Sequence, residues 1–160
     1  MRLGLRPLAP PLLFLAVFLL SGCGSSEKKT DTSGQSASLS VWPGPPDAAS
    51  DGRMPVERFN LYLRDRSGAA SPTALALEFA GAAQTQAART TTEAQASPEG
   101  GGPTTVTVTF DGLADDSVRA TRFVLRFEPE GDKWRLDAAV RTQACRQGRG
   151  HEAFGPADCL

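Results

Sequence analysis

Three segments in the second half of the chain alternate between apolar and polar residues with a period of two. Because successive side chains of a strand point to opposite faces, this alternation predicts three antiparallel strands with one buried face and one solvated face. Pro129-Glu130-Gly131-Asp132 predicts a tight turn between the last two strands. The apolar positions are Val106, Val108 and Phe110, then Phe123, Leu125 and Phe127, then Trp134, Leu136, Ala138 and Val140.

Two short segments upstream predict helices that could cover the apolar face. Ser71 before Pro72 combines an N-cap residue with a first-turn proline, and Gly81 supplies a stop, which predicts a helix from Pro72 to Ala80. The segment from Pro55 to Asp65 fits a helical face and also a strand alternation, and Pro55 favours the helix. The segment from Gln84 to Gln95 is polar and rich in threonine, so it predicts at most an exposed strand.

The first 22 residues contain the three parts of a secretory signal. Arg2 and Arg6 form a positive start, Leu12 to Leu20 form an apolar core, and the small residues Ser21 and Gly22 follow it. The core is well short of the ~20 residues that span a bilayer as a helix.

The stretch Leu20-Ser21-Gly22-Cys23 resembles the lipobox of bacterial lipoproteins. The resemblance implies that residues 1–22 are removed and that Cys23 receives a diacylglyceryl group and usually an acylated amine, so that the protein is anchored in a membrane. It places the protein in the cell envelope, on the extracytoplasmic side. Gly24 is compatible with an outer-membrane anchor facing the periplasm where the envelope has two membranes. The alternative is an ordinary signal peptide followed by an incidental cysteine.

Residues 23–52 have the composition of a linker, rich in Ser, Gly and Thr and then in Pro. This composition predicts a disordered tether after the lipidated cysteine and a single folded domain over residues 53–160. Trp42 is the one large aromatic residue in the tether. It is interpreted either as a loose contact with the domain or the membrane interface, or as a specific docking residue.

Cysteine usage indicates a disulfide near the carboxyl end. If Cys23 carries lipid, Cys145 and Cys159 remain as an even pair in an oxidising compartment. Bridging them closes a loop of about 15 residues, which contributes roughly 3 kcal/mol in the chain-entropy model. The alternatives are a metal site built from both cysteines with His151 and Asp158, whose spacing matches no common zinc pattern, and a pair of free catalytic thiols.

These elements predict an α+β fold. We expect a small antiparallel sheet of three to four strands, packed by two N-terminal helices, with a C-terminal loop closed by the disulfide.

The last third of the chain resembles a group of small bacterial envelope proteins. The resemblance lies in the run Gly112 to Arg119, in Trp134-Arg135-Leu136, and in the spacing of Cys145, Gly148-Arg149-Gly150-His151 and Cys159. It implies no particular activity, but it suggests that the two cysteines and the Gly-Arg-Gly-His run belong together.

Charge argues against nucleic acid as a partner. The chain has 17 Lys and Arg against 18 Asp and Glu, and loss of Arg2 and Arg6 leaves 15 against 18, a net charge of −3. We expect no cofactor and no metal. The residues considered for binding a partner or a small anion are Arg149, His151, Arg122, Arg126, Arg135 and Arg141, the last four on the predicted solvated face of the sheet.

The sequence thus predicts a lipid-anchored envelope protein that acts as a non-catalytic interaction or accessory module with an envelope protein partner. One alternative is a binding protein for a small anionic ligand. The other is a hydrolase-type enzyme with an unrecognised site, for which Ser117, Asp115 and His151 are present without a framing motif. Asp115 and Asp116 are better explained as turn residues.

Overall fold

The computed structural model of the chain describes residues 41–81 and 87–160. The predicted signal peptide, Cys23 and the predicted tether as far as residue 40 lie outside the described residues. The α+β class is confirmed, with two helices and one four-stranded antiparallel sheet of order β1-β2-β3-β4. The elements are α1 (Glu57–Asp65), α2 (Pro72–Ala80), β1 (Ala87–Ala96), β2 (Thr104–Leu113), β3 (Val118–Glu130) and β4 (Lys133–Cys145).

Both helices begin where the local chemistry favours a helix start. In α2 the Ser71 hydroxyl accepts a hydrogen bond from the Ala74 N–H at 3.2 Å, Pro72 is the first helical residue, and Gly81 ends the helix. The ambiguous segment near Pro55 is helical as well, because Phe59 and Leu63 both face the core one turn apart.

The core lies between the helices and one face of the sheet, hereafter the helix-covered face. Phe79 meets Phe59 edge-on with ring centroids 5.1 Å apart, and Phe123 with centroids 6.4 Å apart. Nine-residue helices are marginal on their own, so burial of such side chains at about 1.5–3 kcal/mol each provides most of their stability. The main contributors to the core are Phe59, Leu63, Leu75, Phe79, Val106, Val108, Phe123, Leu125, Phe127 and Leu136.

A register shift in β4 overturns part of the predicted alternation. Arg126 pairs with Ala138 while Phe127 pairs with Leu136, so Asp137 is an extra residue in β4, a β-bulge. Beyond it every side chain changes face. Ala139, predicted to be solvated, is buried in the core, whereas Ala138, predicted to be buried, is exposed.

The same shift corrects the placement of Val140 and Arg141. Val140 pairs with Val124, and both lie on the other face of the sheet, hereafter the open face. Arg141 pairs with Phe123 and therefore lies on the helix-covered side, not with the other sheet arginines as predicted.

Asn60 links α1 to β4 by hydrogen bonds next to the bulge. Its amide Nδ2 donates to the Leu136 carbonyl at 2.8 Å, and the Leu136 N–H donates to Asn60 Oδ1 at 2.9 Å. The side chain thereby satisfies both backbone groups of Leu136.

The folded domain reaches further upstream than the predicted boundary at residue 53. The Trp42 ring lies 4.8 Å from the Phe59 ring, and its indole N–H donates to the Phe79 carbonyl at 3.0 Å. The buried Gly52 accepts a hydrogen bond from the Arg141 N–H at 2.8 Å. Composition alone assigned this segment to the tether, but one aromatic ring and a short backbone pairing are enough to hold it against the domain.

We expect Asn60→Ala to lower the free energy of unfolding by about 1–3 kcal/mol, because it removes two hydrogen bonds and leaves the Leu136 groups without partners. Arg58→Ala on the exposed side of the same helix is the control and should change stability by less than about 0.5 kcal/mol. Urea unfolding followed by circular dichroism measures both. Equal stabilities of the two variants would show that the Asn60 contacts do not hold α1 in place.

Candidate functional site

The two cysteines of the carboxyl-terminal loop are paired as predicted. The Sγ atoms lie 2.13 Å apart, and the Cα atoms are 5.5 Å apart. The loop also pairs with β4, since Gln143 and Gly155 exchange backbone hydrogen bonds of 2.8 and 2.9 Å. In the described part of the chain no three His, Cys, Asp or Glu side chains cluster in a way that could hold a metal ion.

The imidazole ring of His151 contacts the backbone of this loop at two places. Nδ1 lies 2.7 Å from the Ala153 carbonyl oxygen, and Nε2 lies 2.8 Å from that of Ala157. A carbonyl oxygen only accepts, so both contacts are hydrogen bonds only when the imidazole carries both protons. The hydrogen bonds to Ala153 and Ala157 accordingly raise the pKa of His151 above its ordinary value of 6.5.

Arg149 projects from the same loop. Its backbone is fixed, because its N–H donates to the Arg146 carbonyl at 3.0 Å and its carbonyl accepts from the Leu160 N–H at 2.8 Å. Its side chain is exposed and makes no hydrogen bond or ion pair within residues 41–81 and 87–160. The exposed guanidinium of Arg149 is suited to contact an anion or a partner outside the chain, and the role of Arg149 in binding stays a prediction.

Two of the sheet arginines are neutralised by carboxylates on the open face. Arg126 donates to Glu128 at 2.8 and 3.0 Å and lies 3.6 Å from Asp137, which in turn accepts from Arg135 at 3.2 Å. The hydrogen bond to Glu128, the charge of Glu128 and then the charge of Asp137 raise the pKa of Arg126. The positive charge of these two candidate binding residues is therefore locally balanced by acidic residues.

The other two sheet arginines are held by the carboxyl-terminal loop. The Arg122 guanidinium carbon lies 3.8 Å from the centroid of the Phe154 ring, a cation–π contact. Arg141 donates to Asp158 at 3.1 Å. The structure thus does not bring Arg149, His151 and the four sheet arginines together at one anion site.

Ser117 and Asp115 are also engaged in structural contacts. The Asp115 carboxylate accepts from the backbone N–H groups of Val118 at 2.7 Å and Ser117 at 2.8 Å, which lower its pKa, as a turn residue would. The Ser117 hydroxyl donates to the Leu160 carbonyl. With His151 facing two carbonyls, these three side chains do not form a nucleophile, base and orienting acid.

A groove with a volume of about 360 Å³ lies between α1 and the β3–β4 hairpin. Leu61 is 39 % exposed beside it, and Trp134 is half-buried in its wall. This volume lies within the range of small-molecule sites. The groove is lined by Glu57, Asn60, Leu61, Leu63, Arg64, Glu130, Lys133, Trp134 and Arg135.

Basic groups outnumber acidic groups around the groove. Arg64, Lys133 and Arg135 line it, against Glu57 and Glu130. Lys133 already contacts the backbone carbonyls of Arg64 and Arg66 at 3.4 and 3.5 Å. Arg64 makes no side-chain ion pair in the described ranges, so its charge is available to a ligand.

Of the predicted binding residues only Arg135 lines the groove. Sequence reasoning assigned Trp134 to the core and gave Leu61 no role. The signal that could have found the groove is an exposed leucine on a helix whose core positions are already filled by Phe59 and Leu63.

No protein-family model, no curated protein and no solved structure matches this chain. None of the helices in the described ranges has both the length and the apolar character needed to cross a membrane.

We expect the domain to lose stability as the pH rises through the folded pKa of His151. A pKa raised by folding stabilises the native state fully below the unfolded value of 6.5, and this contribution disappears once the folded group deprotonates. Melting temperatures should therefore fall as the pH rises above 6.5, and His151→Gln, which has no charge to lose, should reduce that slope. An unchanged slope in His151→Gln would assign the pH dependence to other groups.

Proposed function

We propose that this chain is a lipid-anchored protein of the bacterial cell envelope whose folded domain is a non-catalytic interaction module. The observation that carries the proposal is Leu20-Ser21-Gly22-Cys23 at the end of a signal-like segment. The Cys145–Cys159 pairing supports it, because disulfides persist in oxidising compartments outside the cytoplasm. The partner we propose is a protein of the same envelope.

The groove at α1 is the part of the domain best suited to contact a partner. Partly exposed Leu61 and half-buried Trp134 supply apolar area, and aromatic residues in pockets are typical anchors of protein interfaces. Asn60 holds one wall rigidly through Leu136, so little ordering entropy would be lost on binding.

Cys23→Ser should abolish anchoring. In the wild type we expect a mature chain that begins at Cys23, carries added acyl mass and stays in the membrane fraction, whereas the variant should be released or remain unprocessed. Gly22→Ala is the matched control, because it keeps a small residue before the cut and should behave as wild type. Mass spectrometry and fractionation provide the readouts, and wild-type behaviour of Cys23→Ser would contradict the lipobox assignment.

A second candidate function is the binding of a small amphipathic anion in the same groove. Arg64 and Lys133, which make no ion pair among the described residues, line the groove together with apolar Leu61 and Trp134, an arrangement that suits an alkyl chain ending in a carboxylate. Arg135 also lines the groove but is paired with Asp137. This site differs from the anion site that the sequence suggested, which involved Arg149 and the open face of the sheet.

Octanoate and octylamine, alkyl chains of opposite charge, test the second candidate by calorimetric titration of the mature protein. Octanoate should bind and octylamine should not, and Arg64→Gln should weaken octanoate binding roughly tenfold through loss of one charge-assisted hydrogen bond. Arg58→Gln, on the same helix and outside the groove lining, is the control. Equal binding of the two compounds, or equal losses in the two variants, would contradict it.

A further inference from the structure

The two edges of the sheet differ in whether they are covered. Along β4, Arg53 pairs with Val140 and Gly155 pairs with Gln143, so backbone from both ends of the described domain lies on that edge. A Cβ atom at Gly52 would lie 2.5 Å from the Arg141 carbonyl, so the approach of this segment requires glycine there. The β4 edge is thereby closed to other strands along these residues.

The β1 edge has no such cover among the described residues. β1 is ten residues long, it pairs with β2 without a register shift, and every one of its residues after Ala87 is exposed. It contains no proline and no lysine, two of the devices that keep an edge strand from pairing, and its two charged residues, Arg89 and Glu93, have opposite signs. On its outer side the backbone N–H and C=O groups have no described partner.

The sequence of β1 is complementary to itself when reversed about Thr91. Reading outwards from that residue, Thr90 corresponds to Thr92, Arg89 to Glu93 and Ala88 to Ala94. Two copies of the strand placed antiparallel about a two-fold axis at Thr91 therefore set each Arg89 opposite Glu93 of the partner subunit. Opposite charges and threonine pairs in directly facing positions stabilise antiparallel strands.

We propose that two copies of this chain associate through β1 in this register, so that their sheets join into one continuous antiparallel sheet. The interface is isologous, as a two-fold dimer requires. Arg89 is 72 % exposed although it also contacts Asp111 at 3.0 Å, so it can reach a facing carboxylate without leaving a buried site. Apart from Gln95, which faces Ala87, the other facing residues are threonine and alanine, which present no bulky side chain to the partner.

This proposal does not rest on the lipid anchor or on the groove at α1. Pairing through β1 uses a strand that neither the membrane assignment nor the ligand assignment involves. Failure of the pairing test therefore leaves the proposed function intact, and failure of Cys23→Ser to release the protein leaves the pairing intact.

Cysteine crosslinking in intact cells that express the full chain tests the register. Thr91→Cys places two cysteines at facing positions, where Cα separations of about 4.5–5.5 Å allow a disulfide. Gln95→Cys is the matched control on the same strand and the same face, since in this register it lies about 26 Å from its copy. Under a mild oxidant, non-reducing electrophoresis should show a dimer several-fold enriched for Thr91→Cys over Gln95→Cys and over wild type.

Charge reversal supplies an independent test in the same cells. In Glu93→Arg an arginine faces an arginine at both places where position 89 meets position 93 of the partner subunit. In Arg89→Glu a glutamate faces a glutamate at the same two places. Each variant in the Thr91→Cys background should therefore lose most of its dimer. Co-expressed, the two variants face each other with opposite charges, and the mixed dimer should return.

Three results would overturn the proposal. The first is equal crosslinking of Thr91→Cys and Gln95→Cys. The second is absence of the mixed dimer when both charge variants are present. The third is a Thr91→Cys adduct that joins the chain to a different protein, which would identify β1 as a docking strand for an extended segment of that protein.

Discussion

The extra residue at Asp137 fixes the arrangement of the whole domain, because a one-residue change of register in a strand exchanges its two faces. It turns Ala139 into the core and Arg141 towards the helix-covered side, and the Arg141 backbone N–H donates a hydrogen bond to the Gly52 carbonyl. Asn60 binds both backbone groups of Leu136, the residue before the bulge, and so fixes α1 relative to the same point. Helix, upstream segment and sheet are therefore positioned by one local irregularity.

The fold class could be predicted from the sequence because large apolar side chains alternate without ambiguity in β2 and β3. The bulge could not, since the residues around it include Ala138 and Ala139, and alanine fits a buried or an exposed position almost equally well. β1 was predicted only weakly for a related reason. It buries almost no side chain and is held by its ladder with β2, which leaves no hydrophobic pattern to recognise.

Less of the candidate site could be predicted, because most contacts there involve backbone atoms. The pairing of Cys145 with Cys159 could be predicted from the number of cysteines. The hydrogen-bond partners of His151 could not, because they are the backbone carbonyls of Ala153 and Ala157, which no side-chain pattern reveals. The pairing of Arg126 with Glu128 was within reach of the sequence, since residues two apart on a strand share a face. The shape of the groove could not be predicted, because it depends on the angle between α1 and the β3–β4 hairpin. The sequence could indicate only that Leu61 of α1 is left over once Phe59 and Leu63 fill the core positions.

Pairing through β1 should be weak, because that strand has no large apolar side chains. With threonine and alanine at most facing positions, an added strand would bury little apolar area, and each backbone hydrogen bond contributes only about 0.5–1.5 kcal/mol net of water. Association of free domains must also offset the loss of translational and rotational freedom, at several kcal/mol or more. Anchoring both copies in one membrane would reduce that loss by raising their effective concentration. A weak, self-complementary edge therefore suits a chain confined to a surface, where it can pair without the hydrophobic area that would cause aggregation in solution.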